Sequence, residues 1–213
     1  MSEVVSLDTP LPLLYRSGGL VAVHKPAGVS VQQEGLLPQL AHQLAVPRLW
    51  LVHRLDRVTS GVLLLAEDAA AAAALGQRFA HGRIRKTYWA VAEGKPAKKQ
   101  GWIKGDMAKA RRGAWKLLRS LEQPAVTYFD SRSLGPGLRF YRLNPTTGKT
   151  HQLRVALKSL GCPILGDTLY GARAADRVYL HAARTELEWQ GQALCIQTPP
   201  PPPWPADWQE VEA

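Results

Sequence analysis

Cysteine is scarce: two residues, Cys162 and Cys195, in a chain of 213. They form no CxxC, which excludes a cysteine-built zinc site and a disulfide framework. Apolar neighbours surround both, so the reading expects two buried thiols in a reducing compartment, the cytoplasm. Long hydrophobic runs are also missing. No stretch approaches the ~20 apolar residues of a membrane-spanning helix. The stretch Met1–Pro10 carries Glu3 and Asp8 and lacks a basic start ahead of an apolar core, so no signal peptide is expected. The six histidines show no metal-ligand spacing. Gly148-Lys149-Thr150 resembles the end of a phosphate-binding loop, but that motif needs glycine at position 143, where the chain has Leu143. With no nucleotide, flavin or metal signature, no cofactor is expected.

Acidic residues are few, 17 against 27 Lys plus Arg, for a net charge of +10. The surplus is local. Between His81 and Ser120 stand twelve Lys or Arg and two acidic residues, so this window carries the whole +10 and the remainder is neutral. Lys109, Arg111 and Arg112 lie in its second half, and Trp89, Trp102 and Trp115 are interleaved with it. Cations for phosphates and aromatic faces for bases are what an RNA-binding surface requires. No membrane or protein partner is implied, and a monomer is the default.

The apolar pattern predicts strands at 13–15 and 20–23 and a short helix over 36–45. A buried strand follows at 61–66, then an Ala-rich helix over 69–79 capped by Asp68. Further strands are expected at 87–93, 125–131 and 138–143, the last two joined by the Gly135-Pro136-Gly137 turn. A helix over 150–160 ends at Gly161, and strands follow at 178–182 and 193–197. Pro199 to Pro203, with Pro205, reads as extended polyproline. Strands outnumber helices and several form hairpins. The expected class is α+β with a mixed, largely antiparallel sheet in a single catalytic domain over 1–213, its core about 13–198 and a Pro-rich tail over 199–213.

Three segments concentrate polar residues in apolar surroundings. In His53-Arg54-Leu55-Asp56-Arg57-Val58-Thr59-Ser60-Gly61, Asp56 has arginines on both sides in sequence. A carboxylate held by guanidinium groups favours the ionised form, which can act as a nucleophile; a loop-stabilising ion pair is the plainer alternative. Arg85-Lys86-Thr87-Tyr88 carries Tyr88 into a strand, where a core tyrosine is the alternative. Gly148-Lys149-Thr150-His151-Gln152-Leu153-Arg154 places Arg154 near the apolar stripe of a helix, where a surface arginine with a buried stem is the alternative.

Taken together, these segments resemble the RNA pseudouridine synthases of the ribosomal large-subunit type, in a form without an S4 domain. The family pattern is HRLD-x-x-TSG. His24-Lys25-Pro26-Ala27-Gly28 resembles its KP-x-G loop, and Arg85 to Tyr88 its K-x-Y segment. Gly148 to Arg154, followed by Gly161-Cys162-Pro163-Ile164-Leu165-Gly166-Asp167 and Tyr170-Gly171, resembles its GRTHQLR…PILGD…YG block. The resemblance spans about residues 13–200 and implies an isomerase that converts uridine to pseudouridine in large-subunit rRNA or tRNA. It implies a cleft across a mixed sheet, Asp56 as the catalytic aspartate, and Tyr88 against the target uracil as the candidate for C5 proton removal. Arg154 would pair with Asp56, and Arg54 would help hold the flipped nucleotide. RNA contacts are assigned to Arg54, Lys25, Lys86, Lys109, Arg111, Arg112, Lys149 and His151.

Two departures bear on substrate: Ala156 stands where many members have histidine, and Lys149 replaces an arginine that can fork onto phosphate. A catalytically silent RNA-binding protein of the same fold is the competing class. The joint presence of Asp56, Tyr88 and Arg154 argues for the enzyme.

Overall fold

The computed structural model describes residues 10–31, 36–202 and 204. They fall into two compact units, Met1–Arg85 with Ala182–Pro199, and Lys86–His181 with Pro200–Ala213. The acidic N-terminal residues, and Pro203 and Pro205 of the tail, lie outside the described residues. Residues 199–202 carry no helix or strand.

The first unit opens with a hairpin, β1 (Leu13–Ser17) and β2 (Leu20–Lys25), turned by Gly18 and Gly19 at positive φ. Helix α1 (Leu36–Gln43) follows, then the two-residue β3 (Trp50–Leu51) and β4 (Ser60–Ala66). Every residue of β4 is buried, as its unbroken apolar run requires. Helix α2 (Ala69–Ala80) starts where expected: the Asp68 carboxylate accepts the Ala71 N–H at 2.7 Å.

The second unit begins with β5 (Arg85–Glu93). After it come β6 (Gln100–Gly105) and a small hairpin of β7 (Met107–Lys109) and β8 (Trp115–Leu117). β9 (Ala125–Ser133) and β10 (Leu138–Pro145) pair antiparallel as expected, and the order is β5-β10-β9-β6. Helix α3 (Gln152–Ser159) starts two residues later than its apolar spacing suggests, because His151 adopts the left-handed conformation, φ 56°. Gly161, also at positive φ, ends it.

The chain returns to the first unit with β11 (Leu180–Trp189) and β12 (Gln192–Gln197), completing the order β1-β2-β4-β11 with β3 on β4 and β12 on β11. Its core is an alternating face: Leu20 and Ala22, Val62, Leu64 and Ala66, and Leu187 and Trp189, closed by Ala71 and Leu75 of α2. Among the described residues the strands form a mixed, mostly antiparallel large sheet and the separate β7–β8 hairpin, with three α-helices, the α+β class expected.

Two expectations need correction. Cys162 is buried, but Cys195 is exposed, because on β12 it alternates with the inward Ile196. Trp89 is a core residue at 6% exposure, so it offers no face to a base, whereas Trp102 is 56% exposed. Strands β6, β7 and β8 form over residues 100–117 of the basic window, where the apolar pattern predicts none.

Gly61, the last residue of the aspartate loop's motif, has φ 116°, and a Cβ there would overlap the carbonyl of Ala182. Gly61→Ala should therefore cost about 3 kcal/mol in unfolding free energy measured with urea. A loss below about 1 kcal/mol would mean that the backbones separate there without strain.

Candidate active site

The loop between β3 and β4 carries Asp56, and it is anchored at each stage. At its start, His53 Nε2 accepts the backbone N–H of Leu64 at 2.9 Å, and the ring lies 4.9 Å from that of Phe79. An acceptor Nε2 requires the proton on Nδ1. Leu55 is buried, so Arg54 before it is exposed while Asp56 after it is half-buried. At the far end, the Thr59 N–H donates to the Asp56 carbonyl at 3.0 Å and closes a turn over Arg57 and Val58.

The middle of the loop is held by the segment after β2. The Gly28 N–H donates to the Arg57 carbonyl at 2.8 Å, and Arg57 Nε returns a bond to the Gly28 carbonyl at 2.7 Å. Lys25 lies beneath, fully buried. Its Nζ donates to the carbonyls of Pro26 at 2.7 Å, Val29 at 2.8 Å and Arg57 at 3.4 Å. Three acceptors match the three hydrogens of an ammonium. Burial nonetheless pulls its pKa down to about 7, against the opposing pull of the Asp56 charge. This differs from the sequence expectation. Lys25 is placed to hold the aspartate loop, and its ammonium is occupied by the protein's own backbone rather than by phosphate.

In the second unit, Tyr88 lies on β5 opposite Leu143 of β10 and is 9% exposed. Beside it, Asn144 donates to Thr87 Oγ1 at 2.9 Å and to the Lys86 carbonyl at 3.4 Å. Lys86 is half-buried, and desolvation lowers its pKa. Arg154 is buried on α3. Its Nε and Nη2 fork onto the two carboxylate oxygens of Asp167 at 2.7 and 2.8 Å. Sequence reasoning gave Arg154 a partner in Asp56 and gave Asp167 no role. The signal available was a charged residue closing the apolar Ile164-Leu165-Gly166 run.

Gln152 is a second residue that the sequence left without a role. Its Oε1 accepts from Thr147 Oγ1 at 2.8 Å and from the Lys149 N–H at 2.9 Å, while Nε2 donates to the Val126 carbonyl and Thr127 Oγ1. One side chain thus fastens the loop before α3 to β9, which is why a polar residue is tolerated at 6% exposure. His151 is half-buried, 2.8 Å from the phenol of Tyr170. Lys149 is exposed and lines a cleft of about 610 Å³ with Asp106 and Trp115. Lys109, Arg111 and Arg112 are exposed on the β7–β8 hairpin, with Arg112 at its tip in the left-handed conformation, φ 56°.

In chemical terms, the first unit supplies a carboxylate on an anchored loop, with an ammonium as charge partner. The second supplies a buried tyrosine, a forked arginine and a cationic hairpin. Among the described residues no cluster of His, Cys, Asp or Glu could hold a metal ion.

Comparison with known proteins adds to this geometry. Residues 19–159 match the family model described as RNA pseudouridylate synthase. The chain is 48% identical over 192 residues to an uncharacterized RNA pseudouridine synthase of Haemophilus influenzae, covering 87% of this chain and 86% of that protein. It is 36% identical over 186 residues to the ribosomal large subunit pseudouridine synthase C of Rickettsia conorii, covering 80% of this chain and 61% of the relative. The solved structure of human RNA pseudouridylate synthase domain containing 1 has the same fold, with TM-score 0.77 and 27% identity over 93% of this chain and 86% of that one.

The buried lysine yields a prediction with a definite sign. Below about pH 7 the folded and unfolded chains both hold the Lys25 proton, and the full cost of burying it is present. Between about 7 and the ordinary 10.5 only the unfolded chain holds it, so this group's contribution to stability rises with pH. The stability difference between wild type and Lys25→Met should shift by about 2 kcal/mol in favour of wild type from about pH 7 to about pH 9, read by urea unfolding. A difference that stays flat would show that Lys25 keeps its proton throughout.

Proposed function

Because the chain belongs to the RNA pseudouridylate synthase family, isomerases that act on RNA, we propose that it converts one specific uridine of structured RNA, in large-subunit rRNA or tRNA, to pseudouridine. The observation that carries this reading is the Asp56 loop. A half-buried carboxylate stands on a loop whose backbone is held by the Thr59-to-Asp56 turn, by the Gly28–Arg57 pair and by the bonds of buried Lys25, whose charge also acts on it. So firmly anchored a loop suits a carboxylate that must meet a single sugar carbon.

The reaction balances without a co-reactant. The N1–C1′ bond breaks, the uracil turns, and C5 bonds to C1′. The C5 hydrogen leaves as a proton, and N1 ends with one. Asp56 serves either by adding to C1′, as a retaining glycosidase carboxylate does, or by removing a sugar proton in an elimination to a glycal. We assign Tyr88 to the C5 proton and Arg154 to the carboxylate chemistry, with Asp167 holding the plane of its guanidinium. Exposed Arg54 would support the nucleotide once it is flipped from the stack. The two units would then act as one catalytic domain. The exposed cations of the hairpin, with Lys149, would neutralise phosphates and offset the cost of unstacking.

A pseudouridine map of total RNA from cells with and without the gene, read by chemical labelling, should lose one site, which would also name the substrate. In vitro, Asp56→Ala should lower turnover by about four orders of magnitude while RNA affinity stays within about threefold. Retained turnover would remove Asp56 from the chemistry. Replacing Lys109, Arg111 and Arg112 with serine should flatten the dependence of log Kd on log salt by about one unit for each phosphate no longer neutralised. An unchanged slope would take the hairpin out of the RNA footprint.

A further inference from the structure

Tyr170 ends a 3-10 turn, Thr168–Tyr170, and is 5% exposed. Two separate parts of the second unit, β8 and the start of α3, converge on it. The backbone N–H of Trp115, the first residue of β8, donates to its phenol oxygen at 3.1 Å. The same oxygen lies 2.8 Å from Nδ1 of His151, with the two rings near perpendicular at 83°. The guanidinium carbon of Arg154 lies 5.0 Å from the centre of its ring. A phenol has one proton to give and two lone pairs to receive with. If the proton goes to His151 Nδ1, the Trp115 N–H takes a lone pair, and the imidazole proton is assigned to Nε2. The ring face meanwhile packs under a guanidinium whose edge is already forked onto Asp167.

The surroundings give these bonds leverage. Trp115 lines two clefts, one of about 510 Å³ shared with Val155, Leu169 and Tyr170, the other of about 610 Å³ shared with Lys149. The hairpin therefore borders both clefts. The Trp115–Tyr170 hydrogen bond ties its β8 strand to the turn that carries Tyr170.

We propose that Tyr170 is a positioning residue that couples the cationic β7–β8 hairpin to His151 and Arg154, so that RNA seated on the hairpin is held in register with the arginine already fixed by Asp167. The coupling to catalysis rests on the function proposed above; the coupling within the second unit does not.

Tyr170→Phe tests this, because it deletes the phenol oxygen and keeps the ring beneath Arg154. With tritium release from C5-labelled transcripts as the assay, KM should rise about tenfold and kcat fall no more than about threefold. Binding to bulk tRNA should weaken in parallel, with a flatter salt dependence. A lower melting temperature with KM and salt slope unchanged would mean a purely structural tyrosine and would overturn the proposal. If the wild type releases no tritium, the function reading fails, while the tRNA titrations still decide the coupling. Should Tyr170→Phe not fold, hydrogen exchange on the wild type decides it. Bulk tRNA should protect the Trp115 amide and the first turn of α3 together, and protection of the hairpin alone would overturn the coupling.

Discussion

A buried ammonium must place three hydrogens or give up its charge, and in this chain that requirement organises the loop on which the proposed chemistry depends. Lys25 reaches back to Pro26 and Val29 and across to Arg57. In doing so it draws the segment after β2 against the segment before β4. The reciprocal Gly28–Arg57 bonds tighten the same junction, and the Thr59-to-Asp56 turn closes it. Asp56 is the residue left in the middle. The half-buried carboxylate and the fully buried lysine share an electrostatic field, so the interaction that shapes the loop also sets the environment of its acid.

The second unit solves a similar problem with neutral and paired groups. Helix α3 buries Gln152 and Arg154 in its first turn, where apolar residues would have avoided the desolvation of polar groups. Gln152 is bound at both ends of its amide, and Arg154 takes both oxygens of Asp167. Polar groups so fully satisfied cost little once folded and tolerate few alternative geometries. They demand precision in the connecting loop, visible in the left-handed His151 that lets Gln152 enter the helix.

The charge distribution fits a protein whose substrate is a polyanion. The whole surplus of +10 lies in one stretch, and Lys109, Arg111 and Arg112 stand exposed where the hairpin turns. An isomerisation without net redox change or energy input asks for positioning and base flipping. The anchored loops, the forked arginine and the cations exposed on the hairpin are features such a reaction would use.

Local features were legible in the sequence. The Asp68 cap and alanine run determined α2, Gly161 determined the end of α3, and the Gly135-Pro136-Gly137 turn determined the β9–β10 hairpin. Each depends on neighbours within a turn or two of the chain. The order of polar motifs pointed to the family, because chemistry requires those residue types whatever surrounds them. Other features came only with the tertiary structure. Lys25 reads as an RNA contact until the fold buries it and the carbonyls of Pro26, Val29 and, far along the chain, Arg57 receive its ammonium. Trp89 reads as a stacking face until the sheet buries it, and Cys195 reads as core until the register of β12 turns it outward. Asp167 has no role until Arg154 arrives. Burial and partnership are set by residues distant in the chain, and one residue's sequence neighbourhood does not contain them.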